Sequence, residues 1–253
     1  MSGALSVIGL GPGAREWVTP EAADALAAAS DLVGYGPYLA RLALAPGQRA
    51  HASDNRVEIE RARHALRLAE HGARVAVVSG GDPGVFAMAA AVFEAIEHGE
   101  AAWRGLDVRV LPGISAMQAA AARAGAPLGH DFCAISLSDN LKSWDIIARR
   151  LQAAAAGDFV IALYNPASRA RPQAIHDAFA VLRAGQSGAV PVIFARDVGR
   201  EGEHIHITTL SGADPALADM RTLILVGSSQ TRLVTRPLGA PFVYTPRSYG
   251  VSV

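Results

Sequence analysis

Cysteine occurs once in the 253 residues, as Cys133, and lysine once, as Lys142. A single cysteine excludes an internal disulfide and fits a reducing compartment. No apolar run reaches the roughly 18 residues of a membrane span. No basic stretch precedes an apolar one at the start of the chain, as a signal peptide would need. A charge of one sign is missing too, with 23 basic residues against 23 acidic ones. No global field then recruits nucleic acid or an anionic membrane. The expectation is a cytoplasmic protein with neither as a partner. Charged residues make up 18%, below the roughly 25% of typical soluble domains, and hydrophobic residues make up 51%, enough for a sizeable core. Of the basic residues all but Lys142 are arginine, whose planar fork suits carboxylates. Genomic base composition accounts for the same bias, since the chain is also rich in alanine. Length alone does not choose between one large domain and two small ones.

The chain is organised around Val77-Val78-Ser79-Gly80-Gly81-Asp82-Pro83-Gly84-Val85-Phe86. Val75 to Val78 reads as a buried strand, because a parallel strand covered on both faces is continuously apolar. Gly80 and Gly81 remove two side chains where that strand stops. Asp82 is placed as a helix N-cap with Pro83 at the first helical position, and Ala87 to Ile96 has the composition of the helix that follows. Strand, bare backbone and helix start together present main-chain groups to a ligand. The same four residues, Gly80 to Pro83, also suit a tight turn that holds nothing.

Before this stretch, residues 4–9 alternate into a first strand, and Gly9-Leu10-Gly11-Pro12-Gly13-Ala14 makes a turn. The turn satisfies the loose dinucleotide pattern G-x-G-x-x-G/A. A dinucleotide fold wants an acidic residue at the far end of the second strand, about 20 residues on, whereas Asp31 stands at that strand's beginning. The first helix is expected later, with Thr19 as cap and Pro20 at its first position. Tyr35 and Tyr38, on a glycine-proline loop, suit either a flat cavity wall or ordinary packing at a core edge. Ile59, Ala62, Leu66 and Ala69 fall on one helical face, ended by Gly72. Leu106 to Leu111 is the last strand of this half. The alternation predicts a mostly parallel sheet with helices packed against it. Strands at Phe132–Leu137, Asp158–Tyr164, Val190–Ala195 and Thr222–Val226 build a second sheet, with helices marked by Ile147 and Leu151 and by Ile175 and Leu182. Cys133 falls inside a strand as a small hydrophobe. His204 and His206 share a strand face without a third ligand, so no metal site is expected. The expected organisation is an α/β protein with an N-terminal domain at 1–113, a C-terminal domain at 114–236 and an irregular tail at 237–253.

Two further segments sharpen the reading: Leu5 to Gly13, and Leu111-Pro112-Gly113-Ile114-Ser115-Ala116. In this order with Val77 to Phe86, they resemble the tetrapyrrole methylase family, over about Leu5 to Val234. Tyr35-Gly36-Pro37-Tyr38, Ser53-Asp54-Asn55-Arg56, Gly125 to Cys133, Leu137-Ser138-Asp139 and Leu163-Tyr164-Asn165-Pro166 look most like the branch that acts at carbon 17 of precorrin-3B in cobalamin biosynthesis. The resemblance implies two consecutive α/β domains with S-adenosylmethionine (SAM) folded in the cleft between them, S-adenosylhomocysteine as its product, and a homodimer. By the family's pattern the cofactor positions are Pro12, Gly80, Gly81, Asp82, Val85, Ser115, Ala116, Leu163, Tyr164 and Asp197. The implied reaction methylates C17 and contracts the ring, with C20 extruded as an acetyl group, to give precorrin-4. Proton movement in the contraction makes Tyr35, Asp139 and Lys142 candidate acids or bases. Tyr38, Asn55, Arg56 and Asn140 are candidates for holding the tetrapyrrole and its carboxylates. Each of these loop residues is equally compatible with a plain surface position. A cobalt-containing substrate, another precorrin, an NAD-linked oxidoreductase and a non-catalytic tetrapyrrole carrier remain as alternatives.

Overall fold

The computed structural model describes residues 3–55, 57–168 and 171–249. The chain divides into two compact units, Met1–Ala116 and Met117–Val253. The first unit runs β1 (Ala4–Gly9), α1 (Pro20–Ala28), β2 (Asp31–Tyr35), α2 (Gly36–Leu39), β3 (Arg49–Ser53), α3 (Glu58–Glu70), β4 (Arg74–Ser79), α4 (Met88–His98) and β5 (Asp107–Leu111). Its five strands form one sheet in the order β3-β2-β4-β1-β5, and every pairing is parallel. The central strands β4 and β1 carry Val75, Val77, Leu5 and Val7 into a core closed by Ala62, Leu66 and Ala69 of α3 and Val92 of α4. Ile8, Leu10, Ala76 and Val78 meet Ala22 and Leu39 in a second cluster. Apolar side chains in both clusters explain why β4 is apolar without alternation. Thr19 caps α1 as its sequence demands, with its hydroxyl accepting from the Ala22 amide.

α5 (Ala116–Ala124) straddles the division and leads to β6 (Gly125–Ala126), β7 (Phe132–Ser136), α6 (Trp144–Ala156), β8 (Val160–Tyr164), α7 (Ala174–Gly185), β9 (Pro191–Arg196), β10 (His204–Thr209), β11 (Thr222–Val226), β12 (Arg232–Val234) and β13 (Phe242–Tyr244). The larger sheet of this unit has the order β10-β9-β11-β8-β7. β7 and β8 are parallel, while β11 lies antiparallel between β8 and β9. Ile147, Leu151, Phe179 and Leu182 from α6 and α7 pack on Ile161, Leu163, Val192 and Ile224. β12, β13 and β6 make a small separate sheet. His204 and His206 do share a face of the edge strand β10, with rings stacked 6.5 Å apart and their planes 10° from parallel.

Three local expectations are corrected. Asp82 does not cap a helix: α4 starts at Met88, and no side chain caps it. Pro83 to Ala87 instead form an irregular turn in which Phe86 has a φ of 51°. The glycine-proline segment after β2 is a one-turn helix, because Pro37 sits near its start, where no amide donor is needed. The stretch from 237 onward is not wholly irregular, since β13 pairs with both β12 and β6.

Candidate active site

In a parallel sheet all carboxyl ends lie on one edge, so the loops after β1, β4 and β5 are neighbours by topology. In the first unit they are fastened together through backbone. Gly11 and Gly81 exchange two hydrogen bonds, Gly11 donating to the Gly81 carbonyl at 3.2 Å and accepting from the Gly81 amide at 2.9 Å. Leu10 donates to Ser79 at 2.9 Å. A Cβ on Gly9 would lie 2.7 Å from the Gly81 carbonyl oxygen and 2.8 Å from the Gly113 Cα. One on Gly113 would lie 2.5 Å from that same oxygen. Asp82 completes the frame: one carboxylate oxygen accepts from the Gly84 amide at 2.8 Å, the other from the Gly113 amide at 3.0 Å. Its role is therefore to shape and tie loops.

Gly81 differs from its neighbours. Its φ of +71° favours glycine, yet a Cβ there would meet only ordinary contacts, 3.8 Å from the Ala116 amide nitrogen and 3.9 Å from the Ile114 carbonyl. The open side of Gly81 thus faces Ile114 to Ala116. Gly81, Ser115 and Ala116, separated in sequence, are brought together. Gly80 has Tyr38 over it, the place of its missing Cβ being 2.8 Å from the ring. Tyr35 stands edge-on to Tyr38, with centroids 5.5 Å apart. Pro12 is buried, and Val85 is half-buried in the irregular turn. Asn55 is exposed beyond β3, and Arg56 lies outside the described residues.

Within the second unit, β7, β8 and β9 run in one direction, so the residues after Ser136, Tyr164 and Arg196 fall at one end of the sheet. Asp139 is exposed and pairs with Arg171 at 3.3 Å, while Arg171 also donates to the Leu137 carbonyl. Asn140 is exposed. Burial, and then the like charge of Arg150, push the Lys142 ammonium below its ordinary pKa. The Tyr164 hydroxyl accepts from the amide of Met117, the residue after Ala116. Leu163 is fully buried in the core, in register with Ile135 on one side and Ile224 on the other. Asp197 has a φ of +51° and a buried carboxylate paired with Arg196 at 2.9 Å and with Arg221 at 2.7 Å. Its carboxylate is therefore engaged by two guanidiniums.

Two arginines went unnoticed in the sequence. Arg41 reaches the carbonyls of the first glycine loop. Arg61, 5% exposed, donates to the Ser53 hydroxyl at 2.8 Å and points another nitrogen at the Met88 sulfur. Their partners are mostly backbone or remote side chains, and no local spacing reveals such pairs. No group of three or more metal-ligating side chains occurs among the described residues.

Loops of bare backbone at strand ends suit the binding of a reagent that carries its own reactive group. The comparisons agree with that reading. The model of the tetrapyrrole (corrin/porphyrin) methylases matches residues 4–214. The chain is 55% identical over 249 residues to a precorrin-3B C(17)-methyltransferase of Sinorhizobium sp, covering 98% of each protein. It is 40% identical over 246 residues to a probable cobalt-factor III C(17)-methyltransferase of Salmonella typhimurium, covering 97% of this chain and 99% of that one. The crystal structure of the methyltransferase CobJ is similar with a TM-score of 0.92 and 52% identity, over 97% of this chain and all of the other. A uroporphyrin-III C-methyl transferase from Thermus thermophilus, complexed with S-adenyl homocysteine, shares the fold at a TM-score of 0.68 and 23% identity, over 89% of this chain and 97% of that one. With a family model along most of its length and a relative sharing more than half its residues from end to end, the chain belongs to the tetrapyrrole (corrin/porphyrin) methylases.

Proposed function

We propose that this chain transfers a methyl group from SAM to carbon 17 of precorrin-3B, with ring contraction to precorrin-4, as a cytoplasmic homodimer. The observation that carries the proposal is the full-length 55% identity to a protein named for that reaction. The glycine frame supports the cofactor. Gly81 offers main chain in a left-handed conformation, with its open side toward Ser115 and Ala116. Neither carboxylate oxygen of Asp82 needs a ligand, since each already accepts from an amide. Gly81, Val85, Ser115, Ala116 and Pro12 would hold SAM chiefly through backbone. When bound, SAM supplies a methyl already activated by its sulfonium, so the chain need only hold donor and acceptor in line.

Tyr35 and Lys142 stay as candidate acids or bases, the Lys142 ammonium lowered by burial and then by Arg150. Asp139 is held as an ion partner of Arg171. Tyr38, over Gly80, gives the tetrapyrrole a flat wall beside the glycine frame. Arg56, Asn55 and Asn140 stay as candidates for its carboxylates. Incubation with SAM and precorrin-3B, read by product mass and ultraviolet-visible spectrum, tests the proposal. No methylated product from precorrin-3B refutes it. Turnover of cobalt-factor III in its place would favour the second reading, which rests on the 40% identical relative.

A further inference from the structure

The short turn after β2 touches two of the three loops of the glycine frame. Tyr38 lies over Gly80, and Leu39 is buried in the cluster with Ile8, Leu10 and Val78. Two residues on, one guanidinium nitrogen of Arg41 stands 3.4 Å from the Leu10 carbonyl, 3.5 Å from that of Gly11 and 3.1 Å from that of Gly13. The Gly11 carbonyl is also the one that accepts from Gly81. A carbonyl has two lone pairs, so it serves both donors. Arg41 is thus one hydrogen bond away from the residue whose open side faces Ser115 and Ala116.

We infer that Arg41 is a positioning residue for the cofactor: it clamps the carbonyls of the Leu10–Gly13 loop, and through Gly11 it fixes the conformation of Gly81. The inference rests on the proposed SAM site. The physical reason lies in the glycines themselves. Each loses more conformational freedom on ordering than any other residue, so a loose glycine loop would charge that cost against ligand binding. Ordering the loop in the free protein removes it. Arginine suits the task, since it stays charged, is weakly hydrated for a cation and brings one terminal nitrogen among the three carbonyls. An ammonium is a compact, strongly hydrated point charge, and enters this part-buried position at a greater desolvation cost.

The test uses the full chain as wild type, Arg41→Gln and Arg41→Lys. Hydrogen exchange at the Gly11 and Gly81 amides is measured without ligand, and calorimetry gives affinities for S-adenosylhomocysteine and for the tetrapyrrole separately. Arg41→Gln is expected to speed exchange at those two amides and to weaken S-adenosylhomocysteine roughly tenfold, the cost of re-ordering about one backbone residue. Tetrapyrrole affinity stays as in wild type, and Arg41→Lys falls between. Unchanged exchange at Gly11 and Gly81 overturns the inference, as does wild-type affinity for S-adenosylhomocysteine in Arg41→Gln. If Arg41→Gln does not fold, Arg41→Lys decides by the same measurements. A wild-type protein that ignores S-adenosylhomocysteine defeats the SAM reading instead, while the exchange data still decide whether the clamp exists.

Discussion

Glycine does two different jobs in the frame, and the difference sets the first predictions. At Gly9 a methyl group would press on the Gly81 carbonyl and the Gly113 backbone. Gly9→Ala should therefore lower stability by about 1–3 kcal/mol, the usual cost of overpacking, as a shift of the urea midpoint. At Gly81 the space is open and the φ of +71° is the obstacle. Gly81→Ala should cost only about 1–2 kcal/mol, the penalty for a side chain in the left-handed region. Gly81→Val should remove S-adenosylhomocysteine binding while the chain still folds. Near-normal affinity in a folded Gly81→Val would displace the cofactor from this loop. The glycine runs were legible in the sequence as turns at strand ends, where glycine supplies left-handed or close-approach backbone. Which glycine packs against backbone and which has an open side was not, since the answer depends on neighbours far along the chain. Asp82 shows the same limit. Its position before proline matches a cap, but the amide it serves belongs to Gly113.

At the level of elements, the edge strand β3 is bound by polar groups where the rest of the unit uses alanine and leucine. Arg49 and His51, two residues apart on β3, both reach the buried Asp31 of β2, at 2.9 Å and 2.8 Å. His51 in turn meets His64 of α3 at 3.1 Å, and Arg61 one turn earlier holds Ser53. Burial alone would raise the Asp31 carboxyl, but hydrogen bonds from Arg49, His51 and Ser30 outweigh it and hold the pKa at about 2, below the ordinary 3.8. The folded state then binds fewer protons than the unfolded one. Stability from this group is complete above pH 3.8 and is lost as pH falls through about 2. His64 is pushed below its ordinary 6.5, first by burial and then by His51 and Arg67, against a smaller pull from Asp31. Its contribution is complete above pH 6.5 and declines below it. Urea midpoints should thus fall in two steps on acidification, and His64→Gln should abolish the upper one. An unaltered upper step in that variant would exclude His64 as its source. The long helices were legible because apolar residues recur at three and four. α2 and β13 escaped, being too short for any period to show.

For the whole molecule, the proposed homodimer predicts a sedimenting species of twice 26.3 kDa at micromolar concentration, and a monomer alone would count against it. The alternation of strand and helix made the parallel sheet of the first unit readable. It could not reveal the mixed sheet of the second, where β11 enters antiparallel between β8 and β9. That insertion depends on β9, β10 and β11 following one another without a long helix, a pattern that allows several strand orders. The glycine frame has one more consequence, which concerns time. Its three loops come from β1, β4 and β5, the first, fourth and last strands of the unit. A chain synthesised from its N-terminus carries Gly9 and Gly81 long before Gly113 exists, and contacts so distant in sequence close slowly. The amide that Asp82 holds is then still to be made. A nascent chain halted before Pro112 would have two loops joined to each other but not to the third, and on the proposed cofactor site methyl-donor binding would begin only after the fifth strand leaves the ribosome.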